Sequence, residues 1–197
     1  MRRLRRRRRR AYIESYEFPA ALQDKVREKL ENEDQVEVAL EGLRAWYLAC
    51  LDAPGEMLGM PSRAVDIAWH EMILMTRAYH AFCDRAFGRY LHHSPVAVMD
   101  EPLEYSLART LAVVESRSAA AVGVPLLFAV DGQLRLEDGY VWEEADIGRL
   151  RTFQPHRWSD YSGGFVGEGG GGSSGGCGGG GSSCGGGGCG GGCGGGG

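Results

Sequence analysis

The sequence predicts a mainly helical bundle that ends in a small antiparallel β-hairpin, an α+β fold flanked by two disordered tails. Apolar residues recur every three or four positions through most of residues 18–118, which indicates amphipathic helices. After residue 126 they alternate with polar residues, as they do in strands. We therefore expect a disordered Arg-rich arm at 1–10, one globular domain at 11–161 and a disordered Gly/Ser/Cys-rich tail at 162–197.

The first two predicted helices precede a loop that contains proline and glycine. A helix over residues 18–32 is predicted from four apolar residues at a spacing of four, Phe18, Leu22, Val26 and Leu30. A second helix over residues 34–51 is predicted from an apolar stripe with steps of three and four, formed by Val36, Leu40, Leu43, Tyr47 and Cys50. The run at 53–55, Ala-Pro-Gly, should end this helix.

The next segment is long enough for two helices. Ser62 is a suitable N-cap for a helix that begins at Arg63. A helix that continued unbroken to Phe87 would be about 37 Å long, which is long for a domain of this size. We therefore expect a break near Thr76, with Thr76 capping a second helical segment that Gly88 ends.

The hairpin is predicted near the end of the domain, after a helix over residues 102–118. Residues 126–130 and 133–137 flank an Asp-Gly pair, which is a strong signal for a tight turn between two strands. A second Asp-Gly pair follows at 138–139, so residues 140–142 are expected to add a third strand.

The net charge of −4 conceals a strong asymmetry along the chain. Eight of the 22 basic residues lie within the first ten positions, so residues 11–197 contain 14 basic and 26 acidic residues, a net charge of −12. An acidic body argues against a DNA-binding domain, which needs basic residues clustered on its folded surface. Residues Arg2–Arg10 could still associate with nucleic acid or an anionic surface without specificity; the alternative is an arm without a specific role.

The chain is expected to be a soluble cytoplasmic protein. No apolar segment follows the basic start, as a signal peptide would require, and no apolar run is long enough to span a bilayer. Cys50 and Cys83 lie in apolar helical patterns, which is typical of reduced, buried thiols. The four tail cysteines lack the paired CxxC spacing of a zinc ribbon and are expected to be incidental.

A candidate site lies within residues 65–93, which contain four of the five histidines. Imidazole, thiolate and carboxylate are the ligands that a transition metal such as zinc prefers. The predicted ligands are His70, His80 and His92, and the additional or supporting groups are Asp66, Cys83 and His93. Ten residues of continuous helix would separate His70 from His80 by about 15 Å, so a shared ion requires the predicted break near Thr76.

Two other interpretations of the same residues stay open. Asp66 and His70, four apart on a helix, could form a purely structural core contact. Cys83 with His80 could form a nucleophilic pair, although the apolar, acidic surroundings of the thiol should raise its pKa. Histidines that face a solvent-open pocket would favour an enzyme, whereas histidines directed at backbone carbonyls would favour a scaffold.

Three functions follow from these observations. The leading hypothesis is a non-catalytic binding or scaffold module, with an unidentified protein partner, whose histidine cluster is structural or holds a metal. The alternative is a metal-dependent enzyme that uses Asp66, His70, His80 and His92, with one coordination position open. The third is association with nucleic acid or a membrane through the arginine arm.

These residues also resemble those of a known family. The patterns are V-D-x-x-W-H at 65–70, T-x-x-Y-H-x-F-C at 76–83 and F-G-R-x-L-H-H-x-P at 87–95, and PLLFAVDGQLRLEDGY follows at 125–140. Together they resemble the glycine-rich domain-containing protein-like family, particularly bacterial-type members with a Gly/Cys-rich C-terminal tail. The resemblance implies that residues 65–95 matter most. It leaves the function open, because the family has no established biochemical activity.

Overall fold

The computed structural model describes residues 2–30, 33–94, 102–117 and 123–153, and all of them belong to one compact unit. These residues form eight α-helices and no β-strand: α1 (Arg2–Glu14), α2 (Ala20–Leu30), α3 (Glu33–Asp52), α4 (Arg63–Leu74), α5 (Thr76–Ala86), α6 (Leu103–Glu115), α7 (Leu126–Leu134) and α8 (Glu144–Thr152). The mainly helical class is confirmed. The predicted tail at 162–197 lies outside the described residues. None of the described helices has the length and apolar character needed to cross a membrane.

Helix α3 is the centre of the bundle and packs against α1, α2, α4, α6 and α7. Its Leu43 and Tyr47 are completely buried. Gly42 explains how two neighbours approach this helix so closely. A Cβ atom at this position would lie 2.5 Å from Val65 on α4 and 2.9 Å from Val130 on α7. A larger residue would therefore separate α4 and α7 from α3.

The expectation that the arm at 1–10 is disordered is wrong for its described residues, because Arg2–Arg10 form most of α1. This helix is fixed to the domain by its last turn, where Ile13 is 1% exposed and the Tyr12 ring lies 5.9 Å from that of Phe82. Arg10 also lies 2.5 Å from Asp52 at the end of α3. Apolar burial in the last turn and the opposite charge of Asp52 thus offset the repulsion among neighbouring arginines.

The predicted break between α4 and α5 is confirmed, but its geometry differs from the prediction. Met75, with φ −79° and ψ 58°, separates the two helices and occupies the N-cap position expected for Thr76. No side-chain hydrogen bond caps α5. At the other end, the predicted stop at Gly88 is confirmed, because this glycine has a φ of +68° and its N–H donates to the Cys83 carbonyl.

The predicted hairpin is wrong. Residues 126–134 form α7, and no residue of 140–142 is in a strand. Pro125 precedes the helix and presets its first turn, and Leu127 and Val130 are fully buried. A short apolar run of this kind does not distinguish a buried helix from a buried strand. The Asp-Gly pair at 131–132 lies in the last turn of α7 rather than in a β-turn.

Asp131 replaces the expected turn with a buried hydrogen-bonding centre. Its carboxylate is 1% exposed and accepts four hydrogen bonds, from Ser62 Oγ at 2.6 Å and from the backbone N–H groups of Arg63, Ala64 and Tyr140 at 2.7, 3.0 and 2.9 Å. Ser62 in turn accepts a hydrogen bond from Val65 N–H, which confirms it as the N-cap of α4. A negative charge is thus fixed at the positive end of the α4 dipole.

We predict that Asp131→Asn lowers the free energy of unfolding by about 2–4 kcal/mol. Both carboxylate oxygens of Asp131 accept hydrogen bonds, and the substitution would replace one of them with an NH₂ group that cannot accept. Urea denaturation followed by circular dichroism measures this loss. Asp138→Asn is the control, because this carboxylate is 72% exposed and only approaches Arg63 at 3.5 Å. Equal stability losses in the two variants would contradict the assigned role of Asp131.

Candidate metal centre

Helix α4 places Asp66 and His70 on one face, because they are four residues apart. His70 Nδ1 lies 3.4 Å from the Asp66 carboxylate and 2.9 Å from the Asp66 backbone carbonyl oxygen. The His70 side chain is 51% exposed, and that of Asp66 is 36% exposed. The pair therefore lies at the surface and is accessible to a ligand from solvent.

His93 joins this pair from the segment that follows α5. Its Nε2 atom lies 3.1 Å from Asp66 Oδ1, and its side chain is only 19% exposed. The His93 ring also packs against two rings of α4, at centroid distances of 4.7 Å from Trp69 and 4.2 Å from His70. Ring packing and the polar contact together define the position of this imidazole.

Tyr79 fixes the segment that contains His93. Its hydroxyl accepts a hydrogen bond from Trp69 Nε1 at 3.0 Å and donates one to the Leu91 carbonyl at 2.6 Å. Burial raises the pKa of Tyr79, so the hydroxyl keeps its proton as a donor. One buried hydroxyl thus connects α4, α5 and the segment after α5, two residues before His93.

The three side chains meet the geometric requirement of a metal site. One carboxylate oxygen of Asp66 and one nitrogen each of His70 and His93 lie within 4.8 Å of one another. Two ligands bound tetrahedrally to zinc at about 2.0–2.1 Å are separated by about 3.3 Å. The separation of 3.1 Å between Asp66 Oδ1 and His93 Nε2 is close to this value.

The three side chains also line a cavity of about 580 Å³. Its walls are partly apolar, with Trp46 and Leu91, and include the two cationic side chains Arg63 and Arg89. A ligand bound to an ion at Asp66, His70 and His93 would therefore find both apolar surface and positive charge nearby.

The other predicted site residues lie apart from this group. His80 is 65% exposed on α5, and its Nδ1 lies 3.3 Å from Asp84, another pair at a spacing of four. His92 lines the same cavity but packs against Tyr90, with 4.8 Å between ring centroids. Cys83 is fully buried. Of the three predicted ligands, the structure places only His70 in the convergent group.

The sequence predicted Asp66 and His93 as additional or supporting groups, and both lie in the convergent group. The spacing of four between Asp66 and His70 was the signal for the first. No sequence signal distinguishes His93 from His92, because adjacent residues of an irregular segment point in directions that only the tertiary contacts determine. The Trp69 ring and Asp66 are those contacts for His93.

The nucleophilic pair of Cys83 and His80 has no geometric support. Burial is the main cause that raises the pKa of the Cys83 thiol, and it also raises the pKa of Cys50. His80 is directed to solvent beside Asp84. Both thiols are therefore protonated at neutral pH and behave as small apolar core groups.

We predict that Cys50 and Cys83 react slowly with iodoacetamide at pH 8, because alkylation requires the thiolate and a raised pKa keeps both sulfurs protonated. Mass spectrometry of timed samples measures the rate at each cysteine. The same protein in guanidinium chloride is the control, and both residues should react rapidly there. Equal rates in the folded and unfolded protein would contradict the assignment.

We predict that Tyr79→Phe lowers the free energy of unfolding by about 1–3 kcal/mol, since the buried Trp69 N–H and Leu91 carbonyl lose their partner. Hydrogen exchange should also accelerate in residues 88–94. Tyr90→Phe is the control, because this ring packs 5.2 Å from that of Tyr79 but does not connect the two helices. Unchanged exchange in Tyr79→Phe would show that other contacts fix the segment.

The fold and the site define an all-helical domain with an Asp/His/His group at a surface cavity. The chain matches the UCP032817-like family model over residues 8–156, about three quarters of its length. It therefore belongs to the UCP032817-like family. No curated protein and no solved structure shows significant similarity to the chain.

Proposed function

We propose that this protein is a metal-binding module that holds one divalent transition-metal ion, such as zinc, between Asp66, His70 and His93. The observation that supports the proposal is the convergence of one ligand atom from each residue within 4.8 Å. Two imidazoles and one carboxylate form a donor set that suits zinc and related ions.

The contacts around His70 agree with this role. When its Nδ1–H donates to the Asp66 carbonyl, the lone pair is at Nε2 and is available to an ion. Metal-binding histidines commonly donate their other ring N–H to a carbonyl in this way, which fixes both the tautomer and the ring orientation. The same contact agrees with a non-catalytic module, in which the histidine is held by the backbone.

The cavity favours a second candidate function, that of a metal-dependent enzyme. Three protein ligands leave a fourth tetrahedral position unfilled, as in catalytic rather than structural zinc sites. The ligand groups line a cavity that has room for a small molecule. In this candidate the ligand set is Asp66, His70 and His93 instead of the set with His80 and His92 predicted from the sequence.

We predict that the purified full chain binds one zinc ion and that Asp66→Ala, His70→Ala and His93→Ala each weaken binding at least 100-fold, because even supporting residues of metal sites contribute about 10–100-fold. Isothermal titration calorimetry gives affinity and stoichiometry. Hydrolysis of a nitrophenyl ester by the zinc-loaded protein, lost in Asp66→Ala, would favour the enzyme; zinc binding without turnover would favour the non-catalytic module.

His80→Ala is the matched control for these variants. It removes an exposed histidine that, like His70, has an aspartate four residues away on the same helix. His80 is not part of the convergent group of Asp66, His70 and His93. Its zinc affinity should remain within about twofold of the wild-type value. Absence of stoichiometric zinc binding by the wild type would contradict the proposal. Loss of zinc in His80→Ala, with His93→Ala unaffected, would instead support the ligands predicted from the sequence.

We further propose a relationship with the glycine-rich domain-containing proteins and a location in the cytoplasm. The first is supported by the positions of the residues that carry the resemblance, since Asp66, Trp69, His70 and His93 all lie at the candidate site. The second is supported by Cys50 and Cys83, which are both buried and unpaired in the folded domain.

A further inference from the structure

A second cavity, also of about 580 Å³, lies on the arginine-rich side of α1. Four arginines at helical spacings of three and four face it. The end of α3, one residue of α6 and the two residues after α6 complete its lining. The charged residues that line it are Arg3, Arg6, Arg7, Arg10, Arg117 and Asp52. We call this group the arginine cavity.

The arginine cavity is part of the folded domain rather than of a free arm. Asp52, whose side chain is only 7% exposed, lies 2.7 Å from Arg6, 2.5 Å from Arg10 and 3.2 Å from Arg117. Ile13, buried in the core, holds the last turn of α1 in place. The guanidinium groups of Arg6, Arg10 and Arg117 are thus arranged before any ligand binds, which reduces the entropy lost on binding.

Positive charge in the arginine cavity is incompletely compensated. Among the described residues, the acids that form ion pairs with these arginines are Asp52 and Glu14, which lies 3.9 Å from Arg10, so five arginines face two carboxylates. Burial lowers the pKa of Arg117, Asp52 opposes this effect, and Arg10 and Arg6 lower the pKa further. Arg3 and Arg7 make no ion pair with a described residue. A bound anion would therefore reduce the repulsion among these arginines and accept hydrogen bonds from the unpaired guanidinium groups.

We propose that the arginine cavity binds a small ligand through a pyrophosphate group, either free or as part of a nucleotide. Three uncompensated charges exceed those of one phosphate monoester, which carries about 1.5–2 negative charges at neutral pH. Guanidinium groups bind phosphate oxygens in a bidentate manner, which suits linked phosphates in a cavity of this size.

The charge distribution favours a compact ligand over a nucleic acid or a membrane. Both of these need basic residues that extend along a surface. Residues 11–197 carry a net charge of −12, so the excess positive charge of the chain lies in residues 1–10. A long polyanion or an anionic bilayer would extend past α1 and be repelled by the net negative charge of the rest of the chain. A pyrophosphate group is small enough to contact only the arginine cavity.

The test uses two double variants of the full chain with equal charge. R3Q/R7Q removes two arginines that line the cavity without making an ion pair to Asp52. R5Q/R8Q removes two exposed arginines of the same helix that do not line it. Each protein is titrated by calorimetry with inorganic pyrophosphate, ADP and inorganic phosphate at near-physiological salt, and its melting temperature is measured.

We expect wild type to bind pyrophosphate and ADP more tightly than phosphate. R3Q/R7Q should weaken both at least tenfold, whereas R5Q/R8Q should change them less than about twofold. Similar affinities for pyrophosphate and ADP support recognition of the pyrophosphate group that both contain. Binding of ADP that is tighter than that of pyrophosphate, and that is also lost in R3Q/R7Q, supports a nucleotide as the ligand that carries this group. Equal weakening in both variants, or no binding of pyrophosphate by wild type, overturns the proposal. Binding of phosphatidylglycerol vesicles or a single-stranded oligonucleotide without pyrophosphate binding overturns it in favour of a surface contact.

Discussion

The buried carboxylate of Asp131 is the interaction on which the arrangement of the domain most depends. An ionised group in the core is stable only when its hydrogen-bonding capacity is filled, and here four donors from two parts of the chain, residues 62–64 and Tyr140, fill it. Two of these donors are free N–H groups at the start of α4. The end of α7 and the residues after it are therefore held against the N-terminus of the helix that contributes Asp66 and His70.

The candidate metal centre depends on restraints at both ends of α4. Asp131 fixes the first turn, and the break at Met75 returns the chain so that α5 packs beside α4. Tyr79 can then reach Trp69 on α4 and the Leu91 carbonyl after α5. The position of His93 thus results from a backbone break, one buried hydroxyl and the packing of two rings. A site built in this way is preorganised for a ligand.

The sequence was sufficient wherever helix formation depends on local periodicity and caps. The apolar stripes located α2 and α3 closely, and Ser62 and Gly88 predicted the beginning of α4 and the end after α5. It was insufficient where a distant residue decides the structure. Three of the four partners of Asp131 lie in residues 62–64, so what looks like a turn signal in the sequence is a buried long-range contact. Likewise, Asp52 lies more than forty residues from the arginines that it pairs with. The histidine-rich segment contains the convergent group of Asp66, His70 and His93, but the position of His93 rather than His92 in that group depends on the ring of Trp69.

The last turns of α3 place the two proposed sites close together. Trp46, Cys50 and Ala53 line the cavity of the metal centre, and Asp52 lines the arginine cavity. Since Asp52 lies between Cys50 and Ala53 in sequence, this end of α3 contributes to both cavities. A ligand that drew Arg6, Arg10 and Arg117 away from Asp52 would leave a nearly buried carboxylate without cations, which is costly in free energy. An anion is therefore better accommodated by the unpaired Arg3 and Arg7, with Asp52 keeping its partners. Binding in the arginine cavity would then leave the end of α3 unchanged, so the two sites should act independently.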